Sequence, residues 1–120
     1  MNPTKPTAPH LLAGQAAEDA ACAFLLARGL LVVARNFRVR GGEIDIIARE
    51  GAVLVFVEVR WRSGLSHGGA CASIDSRKRV RIEHAARCYL RTLSRLPQCR
   101  LDALCRTGPA EAPWQWIRGM

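Results

Sequence analysis

Apolar positions recur with a helical period between Gln15 and Arg28, where Ala17, Ala20, Ala21, Phe24 and Leu25 share one side and Gly29 follows as a stop. The pattern predicts a helix there, with Glu18 on the same broad side as Ala21 and Leu25, at the edge of the core. A β-rich run then predicts a strand over 31–38, broken by Gly41-Gly42. From Glu43 to Arg49 the period becomes two, with Ile44, Ile46 and Ala48 on one face and Glu43, Asp45 and Ile47 on the other. Glu50-Gly51-Ala52 supplies a turn. Val53 to Arg60 is the strongest strand: Val53, Val55, Val57 and Val59 share one face, and Leu54, Phe56, Glu58 and Arg60 the other. Two largely apolar faces predict a central strand covered by helices on both sides.

Residues 61–74 are rich in glycine and serine and read as a loop beside the end of that strand. Ser73 or Asp75 can cap a helix running to about Arg95 and ended by Pro97. Its predicted apolar stripe is Ile82, Ala86, Tyr89, Leu93 and Leu96, and its other side is basic, with Arg77, Arg81, Arg87, Arg91 and Arg95. Cys99 to Cys105 predicts a strand, Gly108-Pro109 a turn, and Trp114 to Ile117 a short final strand or turn on the core. Residues 1–12 read as a loose leader, and 13–120 as a single domain of the α/β class.

The hairpin carries the candidate chemistry. If Glu50 pairs with Val53 around Gly51-Ala52, Asp45 stands opposite Glu58 and Glu43 opposite Arg60. Two carboxylates about 5 Å apart repel by on the order of 3 kcal/mol at an effective dielectric of about 20. A bound cation relieves this, and oxygen ligands without a neighbouring histidine suit Mg²⁺ or Mn²⁺. Arg60, two residues beyond Glu58 on the same face, can hold a phosphate. The competing reading is a set of ion pairs, Glu43 or Glu58 with Arg60, at a sheet edge. Charges that interrupt a run of apolar residues in a central strand need a reason in either case. Arg100 and Asp102 share a strand face, and structural use is the expected reading for them.

Composition sharpens this picture in two respects. The chain carries +8, and its basic residues are nearly all arginine, which favours a polyanionic partner and bidentate phosphate contacts. Arg77, Lys78, Arg79 and Arg81 form the densest basic cluster and are the candidate nucleic-acid contacts, the alternative being a solvated face. The five cysteines are odd in number, lie in no CxxC or Cys/His cluster, and follow no signal-like segment, so free thiols in a cytoplasmic setting are expected and structural zinc is not. No apolar run is long enough to span a membrane.

Gly14 with Glu18, Arg35-Asn36, Gly42-Glu43-Ile44-Asp45-Ile46-Ile47, Phe56-Val57-Glu58-Val59-Arg60, Lys78 and Arg100-Leu101-Asp102 together resemble the YraN-like family, over about residues 12–118. The resemblance implies a restriction-endonuclease-like fold related to Holliday junction resolvases, with a central mixed sheet flanked by helices. It also implies that Asp45 and Glu58 are the acidic metal ligands, that Glu18 is a further helix carboxylate at the metal, and that Arg60 stands where a lysine is usual. Arginine keeps the charge but does not relay protons as lysine can. The activity expected from these readings is Mg²⁺-dependent hydrolysis of branched or structured DNA, for which a two-fold homodimer suits work on two strands. The alternatives are a non-catalytic nucleic-acid-binding or assembly factor, and a protein-interaction module whose charge is incidental.

Overall fold

A computed structural model describes the backbone of residues 9–64 and 68–120, with side chains from Gly14 onward. Helix α1 (Pro9–Ala27) precedes a hairpin of β1 (Leu31–Val39) and β2 (Gly42–Glu50), then β3 (Val53–Arg62). A 3₁₀ turn (Cys71–Ser73), helix α2 (Ser76–Leu90), β4 (Cys99–Thr107) and β5 (Gln115–Arg118) follow. The strands lie in the order β1-β2-β3-β4-β5, with β3 and β4 parallel and the other neighbours antiparallel. This is the α/β mixed sheet with a helix on each face that the sequence implied, and β3 is its central strand.

Each face of β3 carries its own core. Val55 and Val57 pack with Ile46, Ala48 and Leu104 under Ala21 and Leu25 of α1. Leu54 and Phe56 pack with Ile44 and Ile47 under Ile82, Ala85 and Ala86 of α2. Ile44 therefore sides with Ile47, not with Ile46 and Ala48 as strict alternation predicted. The cause is a local break opposite it. Asn36 has a φ of 52°, a left-handed conformation that asparagine tolerates, and the Asn36–Asp45 pair is missing from the β1–β2 ladder. Across this point both strands change face, so Ala34 and Phe37 in β1 also share a side.

Two element boundaries and one cysteine pairing also differ from expectation. Helix α1 starts at Pro9, inside the expected leader: proline is at home in a first helical turn, and the lone Gly14 costs a helix interior only about 1 kcal/mol. Helix α2 stops at Leu90, short of Arg95. There Thr92 donates both its N–H (3.0 Å) and its hydroxyl (2.7 Å) to the Tyr89 carbonyl, tightening the chain out of the α-helical pattern. Leu96 consequently leaves the predicted stripe and is 79% exposed. Finally, Cys71 and Cys105 form a disulfide with a Cα–Cα distance of 5.5 Å, against the expectation of free thiols. They are 34 residues apart in sequence and meet only because the 3₁₀ turn packs on β4 beside Ala70 and Ala103. Cys22, Cys88 and Cys99 are free. Among the described residues no helix is long and apolar enough to cross a membrane.

The far end of the sheet is fastened by Asp102, which is fully buried. Its carboxylate accepts hydrogen bonds from Arg100 Nε (3.0 Å), Trp116 Nε1 (2.9 Å) and the Gly119 N–H (2.9 Å). Arg100 also reaches Glu50 at 3.0 Å, so β4 is tied both to β5 and to the β2–β3 turn. Trp114 and Trp116 are partly buried and pack on Phe24 of α1 at the edge of the core beneath that helix.

Gly42 sets how closely α2 approaches β2. A Cβ at this buried position would run into the Arg81 carbonyl oxygen and lie 3.2 Å from the Ala85 nitrogen. The obstacle is helix backbone, which cannot step aside. Gly42→Ala is expected to cost about 1–3 kcal/mol or more, read as a lowered urea midpoint. An unchanged midpoint would show that the helix is not seated against this residue.

Candidate active site

The β2–β3 ladder runs from Glu50–Val53 to Ile46–Val57, in the register set by the Gly51-Ala52 turn. Beyond Ile46 and Val57 no pairs form, although β2 reaches back to Gly42 and β3 runs on to Arg62. The two strands thus open into a fork. Asp45 sits in the opening, where its Oδ2 accepts the Val59 N–H at 2.9 Å in place of a ladder partner. Glu58, which precedes Val59, is 2% exposed and lies against it. The expected neighbours therefore meet, through a break in the ladder and not through a regular cross-strand pair.

Two cations converge on Glu58. Arg60 Nε is 3.1 Å from its Oε1, and Lys78 Nζ is 3.5 Å from the same oxygen. Lys78 arrives from the first turn of α2, where Asp75 caps the helix by accepting the Lys78 N–H at 2.9 Å. The cap fixes the backbone from which the lysine reaches the fork. Glu43 was expected opposite Arg60, but instead it bonds Lys78 at 3.2 Å and approaches Arg38 at 3.5 Å.

A cleft of about 320 Å³ opens beside the fork, lined by Gly14, Glu18, Asp45, Arg60, Trp61 and Arg62 among others. Glu18 faces it from α1 while Arg35 holds its flank at 3.5 Å. Trp61 lines this wall, its indole N–H bonded to the Gly108 carbonyl at 2.7 Å.

Residues 17–105 match the model of the family described as Uncharacterised protein family UPF0102. The chain belongs to the UPF0102 family. A UPF0102 protein of Janthinobacterium sp. (strain Marseille) is 48% identical over 100 residues, covering 83% of this chain and 81% of the relative. One from Cupriavidus taiwanensis is 53% identical over 92 residues, covering 76% and 70%. One from Pseudomonas entomophila is 42% identical over 117 residues, covering 94% and 95%. The resemblance read from the motifs was to this family.

In this UPF0102 chain the four candidate nucleic-acid residues do not form one surface. Arg77 and Arg81 are exposed, together with Val80. Lys78 is turned inward to the fork, its side chain 16% exposed. Arg79 is occupied by Glu83 (3.2 Å) and by the Met120 carbonyl (2.8 Å). Glu43 and Trp61 were not among the candidate residues, yet Glu43 holds Lys78 and Trp61 walls the cleft. The alternation that placed Glu43 on the Asp45 side was the available signal for the first. His67 lies outside the described residues.

Burial dominates the electrostatics of the fork. The Glu58 carboxyl is pushed up to about 8, first by desolvation and then by Asp45, against the pull of Lys78 and Arg60. Asp45 and Glu18 are also raised, again chiefly by burial. Glu58 Oε2 is buried without a hydrogen-bond partner, and Glu18 Oε1 has only its 3.5 Å ion pair with Arg35. Such atoms are unsatisfied acceptors, which a hard cation can engage. Among the described residues no three His, Cys, Asp or Glu side chains converge as a complete set of metal ligands, so the fork offers a two-carboxylate seat with Glu18 farther off across the cleft.

A raised carboxyl pKa makes folding progressively less favourable as pH climbs from the unfolded value to the folded one. Between about pH 4.5 and 8 the native state holds the Glu58 proton that the unfolded chain has already lost. Glu58→Gln keeps the neutral shape and removes that dependence. Its melting temperature should match the parent near pH 4.5 and exceed it by several degrees at pH 8 in chelator. A difference independent of pH would mean that Glu58 is charged throughout.

Proposed function

We propose that this protein is a metal-dependent nuclease that hydrolyses phosphodiester bonds in branched or otherwise structured DNA inside the cell. One observation carries the reading: Asp45 and Glu58 are brought together at the fork of β2 and β3, beside an open cleft, with Glu58 buried and its Oε2 left without a hydrogen-bond partner. Asp45 and Glu58 would hold a Mg²⁺ or Mn²⁺ ion, with Glu18 as an outer carboxylate. When bound, the ion supplies polarisation of the phosphodiester and acidification of a water.

The chain's own groups serve the remaining needs. Arg60 borders the cleft with its side chain 21% exposed, where its guanidinium can pin a phosphate and offset charge on the phosphoryl oxygens. Lys78 orients Glu58 and Glu43 and puts a lysine ammonium at the fork, although the strand position carries Arg60. Trp61 offers an aromatic wall for an unstacked base at a branch point. One small domain has little surface for base readout, so shape of the DNA is the better target than sequence. Action on two strands calls for two copies related by a dyad.

The test is cleavage of labelled four-way, flapped and linear duplexes with Mg²⁺ or Mn²⁺. The parent should cut the branched substrates preferentially, and Asp45→Ala should lose more than about 100-fold. Equal cutting by the two proteins would remove the fork from the chemistry. Salt-sensitive binding of the same DNA without scission would instead favour a binding or assembly factor, the reading to which the arginine at position 60 lends itself.

A further inference from the structure

A second concavity lies toward the opposite end of the β2–β3 hairpin from the fork. It is a groove of about 690 Å³ between the Gly51-Ala52 turn, the end of α2 and β1. Leu54, Tyr89, Leu93 and Val33 give it an apolar lining, and Arg49 and Arg95 also line it. It exists because α2 ends at Leu90. The tightened turn behind it carries Leu93 inward, while Leu96 stands 79% exposed nearby and Val33 is 45% exposed. Tyr89 stands edge-on to Phe37 and Phe56 at 5.3 and 6.1 Å. Among the described residues its hydroxyl makes no hydrogen bond, and neither arginine is in an ion pair.

Charge decides what fits. Of the ten Asp and Glu side chains, all but Glu111 are engaged by a cation or a backbone N–H among the described residues. A second copy therefore brings almost no free negative charge to Arg49 and Arg95, and two copies at +8 each repel. A nucleic-acid backbone satisfies the arginines but leaves the apolar lining uncovered. We propose that the groove receives an acidic peptide segment with an apolar or aromatic end, contributed by a partner protein. The carboxylates meet Arg49 and Arg95, and the apolar end fills the space over Leu54, Leu93 and Tyr89. Docking there leaves the cleft free, and the inference does not rest on the nuclease reading.

The probe is a fluorescein-labelled Asp-Asp-Asp-Leu-Phe peptide, followed by anisotropy with the full chain. Saturable binding is expected, weakened about tenfold or more by the exposed double change Arg49→Glu with Arg95→Glu. Replacing the peptide's aspartates with asparagine, or its Leu-Phe with Ala-Ala, should weaken it similarly. Tyr89 is the single tyrosine, so selective tyrosine labelling gives one ring signal in NMR, which should move on peptide addition. Absence of saturable binding, full binding by the double variant, or a stationary Tyr89 signal would overturn the proposal. So would a signal that moves with protein dilution alone, which assigns the groove to a second copy. Displacement of the peptide by duplex DNA that moves the same signal would assign it to nucleic acid and overturn the proposal equally.

Discussion

Two buried carboxyl groups that cannot both be ionised without help are the constraint around which this molecule is arranged. Burial raises both the Asp45 and the Glu58 carboxyl, and the Asp45 charge makes ionising Glu58 more costly still. The surrounding chain answers with specific devices. Asn36 takes the left-handed conformation at the ladder break that frees Asp45 to face Val59. Gly42 lets α2 lie against β2, and Asp75 caps that helix where Lys78 begins its reach. None of these residues belongs to the acidic pair, yet each holds the backbone from which a charge reaches the fork.

Much of this was readable along the chain, for a physical reason. A strand apolar on both faces must be central, so Val53 to Arg60 fixed the layer order, and the two-residue turn fixed its register with β2. That register brought Asp45 toward Glu58, although the pair itself forms where the ladder has opened. What escaped depended on contacts distant in sequence or on a single backbone angle. Strict alternation misplaced Ile44 because nothing in composition announces that Asn36 turns left-handed. Cys71 and Cys105 carry no spacing signal. Helix α2 ended early because a threonine hydroxyl competed for a carbonyl, while the apolar stripe suggested continuation to Leu96. Lys78 looked like one member of a basic cluster, and only the packing of α2 showed that it turns toward the acids.

The sheet has a stiff end and an open end. Asp102, Arg100, Trp116 and Glu50 knit β4, β5 and the hairpin turn into one hydrogen-bonded block, with every oxygen of Asp102 engaged. At the fork, by contrast, Glu58 Oε2 lies buried without a partner. A fold that satisfies one buried acid so fully and leaves another wanting has the capacity to bind something at the second. That contrast within one sheet is stronger support for a ligand at the fork than the acidic pair alone.

The inward engagement of the carboxylates has a consequence for the molecule as a colloid. With its anions tied up locally and exposed arginines at Arg28, Arg62, Arg77, Arg81, Arg87, Arg91 and Arg95, the exterior behaves as a polycation. Ionic atmosphere, with a Debye length of about 8 Å at physiological salt, is what limits its adhesion to any anionic polymer. Selectivity among such polymers must therefore come from short-range geometry, because the long-range field draws them all.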